Sequence, residues 1–196
     1  MFEEAVSAGP RDLGSAFAFA VARVAEEARP LMIVATRWWL VQHGRPFARG
    51  LGLPERAVLL VRAKKEAEAL WAMEQGLRSG ALGGVIGAIE EASLTQTRRI
   101  DFAAREGGST AILLRTKEGG LSAARLRWRI AAAASAPDPF DPEAPGAPRI
   151  MAELLRRRDG PPGRWLLEAD DATGRLHLAD RLAGHGPRQD EPRTAA

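Results

Sequence analysis

Short apolar runs of strand length alternate with helix-length segments through the first 115 residues, and this rhythm restricts the chain to few architectures. Phe2 to Ala8 reads as a strand, Ser15 to Glu27 as a helix apolar on most sides, and Leu31 to Thr36 as a strand covered on both faces. A polar, glycine-punctuated stretch, Val41 to Gly52, precedes a third short strand, Ala57 to Val61. Lys64 to Gly80 is then the clearest helix, with Ala67, Leu70, Trp71 and Leu77 on one face and Ser79-Gly80 as its stop. Leu82 to Ile89 reads as a buried strand. Ser93 caps a helix running to Glu106, and Gly107-Gly108 ends it before the strand Thr110 to Arg115. Such alternation with short connections predicts an α/β fold with a mostly parallel sheet flanked by helices.

After Gly120 the period becomes two: Leu126, Trp128 and Ile130 fall on one face, Arg125, Arg127 and Arg129 on the other. A proline-rich loop, Pro137 to Pro148, leads into Ile150 to Arg157, Arg164 to Ala169 and Arg175 to Ala179, separated by the turns Asp159 to Gly163 and Asp170 to Gly174. These predict a C-terminal antiparallel extension. One domain over residues 1–180 is expected, with 181–196 a disordered tail.

Gly9 to Ala16, Gly-Pro-Arg-Asp-Leu-Gly-Ser-Ala, stands between the first strand and the first helix, the position of a phosphate-binding loop. Such a loop works because backbone N–H groups cradle phosphates, a lysine reaches the outer phosphates and a hydroxyl holds Mg²⁺. Gly9 and Gly14 keep the glycine spacing, but Ser15 takes the lysine position and Ala16 the metal-ligand position. The loop is not expected to function.

The chain has no cysteine, so disulfides, thiolate metal sites and cysteine nucleophiles are excluded, and His43, His177 and His185 lack metal spacing. His177 alternates with Leu176 and Leu178, which predicts a surface-facing strand histidine. No Gly-x-Ser-x-Gly elbow is present. There is no leader pattern and no apolar stretch long enough to span a membrane, so a soluble cytoplasmic protein is expected. Lys and Arg total 28 against 25 Asp and Glu, a net charge of +3, which is weak evidence for nucleic acid; solvated faces account for the arginine blocks at 125–129 and 156–158.

A parallel core that opens on a glycine loop and closes with an antiparallel extension is similar to the RecA-type ATPase core. Ala8 to Gly14, Phe47 to Gly52 and Leu77 to Leu82 resemble stretches of RecA. More specific words, Leu70 to Leu82, Ser122 to Arg129, Gly146 to Arg149, Leu154 to Glu168 and Asp170 to Thr173, resemble the ImuA family over about residues 40–180. The resemblance implies an accessory role in SOS-induced translesion mutagenesis, beside an ImuB-type Y-family-like protein and an error-prone C-family polymerase, with RecA as a further partner. SulA-type division inhibitors, which bind FtsZ, are a related group and the first alternative. A residual nucleotide binder is the second. ImuA-like chains usually carry a further segment before the first core strand, whereas this sequence starts nearly at that strand, for which a misplaced start and a loss of the segment are the two expected explanations.

The missing chemistry extends beyond the loop. A metal-binding acid is needed at the end of Val85 to Ile89, where the strand's middle is Gly87-Ala88 and only Glu90 and Glu91 follow. Between Ala28 and Pro54 there is no Asp or Glu to activate water, and Arg37 follows the second strand instead. Without clamp, metal ligand and base, no enzyme activity and no cofactor are expected, because phosphoryl transfer is mostly positioning plus electrostatics. The intervals Glu90 to Ser93 and Thr116 to Ala124 are too short for RecA-style DNA loops, so direct DNA binding is expected to be weak or absent and Arg115 and Lys117 to be surface charge. Partner contact is the remaining role. Trp38 and Trp39 would face opposite ways on extended chain, exposing one of them, and Arg156, Arg157 and Arg158 precede a turn. Trp71, Trp128 and Trp165 are expected in the core.

Overall fold

The computed structural model describes residues 1–24, 29–53, 57–141, 143–157, 160–170 and 176–180. The expected tail at 181–196, Arg158, and most of the turn at 170–174 lie outside these residues. Among the described residues nine strands form one sheet: β1 (Phe2–Ser7), β2 (Leu31–Thr36), β3 (Val58–Ala63), β4 (Gly84–Ala88), β5 (Thr110–Arg115), β6 (Leu126–Ala133), β7 (Arg149–Arg157), β8 (Gly163–Ala169) and β9 (Leu176–Asp180). Their order is β3-β2-β4-β5-β1-β6-β7-β8-β9. The first six run parallel, and β7 to β9 continue the sheet antiparallel. The α/β fold with a mostly parallel, helix-flanked sheet and an antiparallel C-terminal extension is therefore present as expected.

The helices flanking the sheet are α1 (Leu13–Val24), α2 (Arg37–His43), α3 (Glu66–Arg78) and α4 (Leu94–Glu106). Successive strand side chains point to opposite faces. Leu31, Ile33 and Ala35 accordingly join α1 in one core, whereas Met32 and Val34 join α3 and α4 in the other. Phe19 of α1, Trp128 of β6 and Trp165 of β8 extend the first core beneath the antiparallel strands, with ring centroids 5.3 and 5.6 Å apart. Sequence chemistry sets the helix ends. Ser93 and Gln96 form a reciprocal capping box on α4, as the cap at Ser93 led one to expect, and Gly80 closes the α3 turn at φ +66°.

Two expectations fail in packing. Trp71 lies on the outer face of α3 and is 58% exposed, because the buried face consists of Ala69, Leu70, Met73, Glu74 and Leu77. The segment after β2 is helical rather than extended: Thr36 Oγ1 accepts the Trp39 N–H at 3.1 Å and starts α2.

β1 also holds an unexpected feature. It is a central strand buried on both sides, yet it carries Glu3 and Glu4, which are 0% and 2% exposed. Glu3 accepts from Arg23 of α1 and from Trp128 Nε1 at 2.8 Å. On the other face Glu4 accepts from Arg115 Nη2 at 3.1 Å and Arg127 Nε at 2.9 Å. Arg115 is thus a buried structural cation rather than surface charge.

Candidate functional site

The carboxyl ends of β1, β2, β4 and β5 open onto a cleft of about 1020 Å³. In parallel α/β sheets this edge is where ligands are held. The residues here decide what the cleft can do.

The glycine loop forms one wall, and its geometry is not that of a phosphate cradle. Gly9 is extended at φ −156°, Pro10–Asp12 form a single 3₁₀ turn in place of an open loop, and α1 begins at Leu13, so Gly14, Ser15 and Ala16 lie in its first turn. Two backbone donors at this turn are engaged. The Ala8 N–H bonds to the Ile130 carbonyl at 2.7 Å and the Asp12 N–H to the Gly9 carbonyl at 3.0 Å. Asp12 Oδ1 accepts the Ala132 N–H at 2.8 Å, tying the loop to β6 and adding a negative charge where a phosphate would need positive ones.

The opposite wall is also acidic. Glu66, at the start of α3, accepts the N–H groups of Glu90 and Glu91 at 2.9 and 3.2 Å. Both oxygens of Glu90 accept the Thr116 N–H at 3.1 Å, and the Glu90 carbonyl receives Arg115 Nη1 at 2.6 Å. Glu90 therefore serves to fasten the ends of β4 and β5 together. Glu118, also on the rim, is taken up by Arg129, and Lys117 is the cleft's remaining exposed cation. A carboxylate-lined cleft with its one buried arginine already committed to Glu4 opposes a polyphosphate. Among the described residues no group of three or more His, Asp or Glu could hold a metal ion.

The two tryptophans of α2 part company. Trp38 lines the cleft and is 63% exposed. Trp39 is buried against Phe17, with centroids 6.4 Å apart, and against His43 at 4.9 Å. The expectation that one of the pair is exposed holds through helical geometry, not strand alternation, and Trp39 offers no surface for a partner. Arg156 and Arg157 are exposed at the end of β7, which pairs with the beginning of β6. That is the opposite edge of the sheet from Trp38, so the two candidate contacts do not form one site. Arg127 and Arg129 do not form a free cationic face either: Arg127 reaches Glu4 and the carbonyls of Gly119 and Gly120, and Arg129 reaches Glu118 and Glu153. His177 is exposed, 3.8 Å from Glu168.

No protein-family model matches the chain. It is 36% identical over 164 residues to Protein ImuA of Caulobacter vibrioides, a match covering 75% of this chain and 67% of that protein. It is also 35% identical over 94 residues to the cell division inhibitor SulA of Edwardsiella piscicida, covering 45% of this chain and 56% of that one. The crystal structure of SulA from Pseudomonas aeruginosa superposes at a TM-score of 0.45 with 25% identity, over 59% of this chain and 98% of the other. On the extent of the match to Protein ImuA, this chain belongs to the ImuA family.

Proposed function

We propose that the protein is a non-catalytic accessory component of an SOS-induced translesion mutagenesis complex. It acts through contacts with an ImuB-type Y-family-like protein and with RecA, and reaches an error-prone C-family polymerase only through them. The observation that carries the non-catalytic part is the cleft. Its glycine loop lacks the lysine and the metal-ligand hydroxyl and is tied to β6 by Asp12, its acids hold backbone amides, and its arginine is bonded to Glu4, so the side chains that would clamp and polarise a nucleotide are absent or committed. The family kinship supports the mutagenesis role. The described residues include no helix long and apolar enough to cross a membrane. A role beside DNA puts the proposed place of action in the cytoplasm.

Trp38 is the contact residue this reading favours, because a large aromatic side chain held open on a rigid helix is an interface anchor type. The likeness to the Edwardsiella division inhibitor keeps one alternative, an FtsZ-binding role. The two separate in cells of the native host lacking the gene. The mutagenesis role predicts a drop in damage-induced mutation frequency, restored by the intact chain and not by Trp38→Ala. Unchanged mutation frequency together with loss of damage-induced filamentation would transfer the protein to the division-control class.

A further inference from the structure

A second concave surface lies at the other edge of the molecule. The outer face of α4, the Leu121–Ala123 segment and the end of β7 enclose a groove of about 600 Å³. Its apolar part is Phe102 and Leu121, which are 55% and 78% exposed. Its charged part is Arg98, Arg105 and Arg156 against one carboxylate, Asp101. Asp101 is already bonded to Arg105 at 2.8 Å. Arg98 has no ion pair among the described residues, and Arg156 makes one long bond, Nη1 to the Ser122 carbonyl at 3.4 Å. That bond leaves the guanidinium charge uncompensated.

The apolar half of this surface is not explained by folding. A helix that packs on a sheet normally turns charged residues outward, and exposed Phe102 and Leu121 bring α4 and the β5–β6 connection no core contact. Cations held around an apolar centre are complementary to a segment with the inverse pattern.

We infer that this groove binds a short acidic segment of a partner protein, with a large apolar side chain of the segment seated between Phe102 and Leu121 and its carboxylates facing Arg98 and Arg156. A nucleic-acid strand would also meet arginines and an aromatic ring, but the exposed aliphatic Leu121 beside Phe102 forms an apolar centre suited to a leucine-like side chain rather than to a phosphate or a base. The inference rests on the reading of the chain as a contact protein and assigns chemistry to one contact.

Selection of a displayed random peptide library on the purified full chain tests it, with a Phe102→Asp/Leu121→Asp chain as the counter-selection. Enriched peptides are expected to combine several Asp or Glu with Leu, Phe or Trp. A labelled peptide of the enriched consensus should bind with about tenfold or greater loss on Phe102→Ala, as for an anchor residue. Arg98→Ser/Arg156→Ser should weaken it several-fold and flatten its salt dependence, because those charges are exposed and screened. Thermal melts of the variants matching the intact chain show that folding is retained. Absence of enrichment over the counter-selected chain, enrichment of neutral or basic peptides, or binding of a dT20 oligonucleotide abolished by the same arginine changes would overturn the inference. If the groove fails these tests while an ImuB-type protein still co-purifies with the chain, the groove alone is rejected and the contact-protein reading stands.

Discussion

Replacing Glu4 with alanine removes the shared acceptor of two cations in the centre of the sheet. Glu4 lies 2% exposed between Arg115, itself 5% exposed at the side chain, and Arg127 at 18%. After the change Arg115 keeps its bond to the Glu90 carbonyl, and Arg127 keeps those to Gly119 and Gly120, but neither retains a counter-charge on that face. Breaking a buried pair from one side typically costs ~3–5 kcal/mol, because the remaining charge stays desolvated. For a domain of this size about 1 kcal/mol corresponds to 2–4 °C of melting temperature, so Glu4→Ala should lower the midpoint by roughly 6–20 °C. Urea titration and calorimetry read both quantities. The combination Glu4→Leu/Arg115→Met/Arg127→Met, which removes the three charges together, should recover most of the loss, since an apolar replacement of a buried ion cluster is often near neutral. A loss below about 1 kcal/mol for Glu4→Ala, within the range of an exposed pair, would refute the claim that these ions are buried and mutually required.

Further expectations concern single positions. Trp39→Ala should cost ~3–5 kcal/mol as a core truncation, whereas Trp38→Ala should stay within about 0.5 kcal/mol, and equal effects in chemical denaturation would contradict the helical placement of the pair. Gly14 sits in the first turn of α1, where an added methyl group would have no heavy atom within 4 Å, so Gly14→Ala should stabilise by about 0.5–1 kcal/mol instead of damaging a phosphate loop. Gly107→Ala should be severely destabilising, since the added carbon would collide with the Leu77 carbonyl oxygen; a neutral result in a thermal melt would refute that close approach of α3 and α4. Isothermal calorimetry with Mg²⁺-ATP should show no binding below millimolar concentration, and a micromolar affinity lost on Gly14→Val would revive the nucleotide-binding alternative.

The strand-helix rhythm was readable because β2, β4 and β5 are buried on both faces and therefore appear as unbroken apolar runs. Their pairing order and the ion pairs beneath them were not readable. Glu4 meets Arg115 across 111 positions and Arg127 across 123, so no local pattern distinguishes them from solvated charges. The two adjacent acids inside an otherwise apolar strand were the signal present. Thr36 was likewise a ready cap, but Arg37-Trp-Trp-Leu-Val41 has strand propensity, and a capping bond to the Trp39 N–H decided for helix. Trp71 misleads because i, i+3 and i+4 spacing places Leu70 and Trp71 side by side, while the sheet selects the face centred on Met73 and Leu77. At the cleft, the absence of the lysine and hydroxyl was legible directly. That Asp12, Glu66 and Glu90 occupy the vacated ground was not, because their acceptor roles depend on backbone amides brought in by other elements.

The most direct test of the central claim is co-purification of the tagged full chain from its native host, with and without DNA damage, probing the same eluate for the ImuB-type protein and for FtsZ. The account predicts damage-dependent retention of the ImuB-type protein, reduced by Trp38→Ala, with FtsZ absent. Retention of FtsZ without the ImuB-type protein would contradict it.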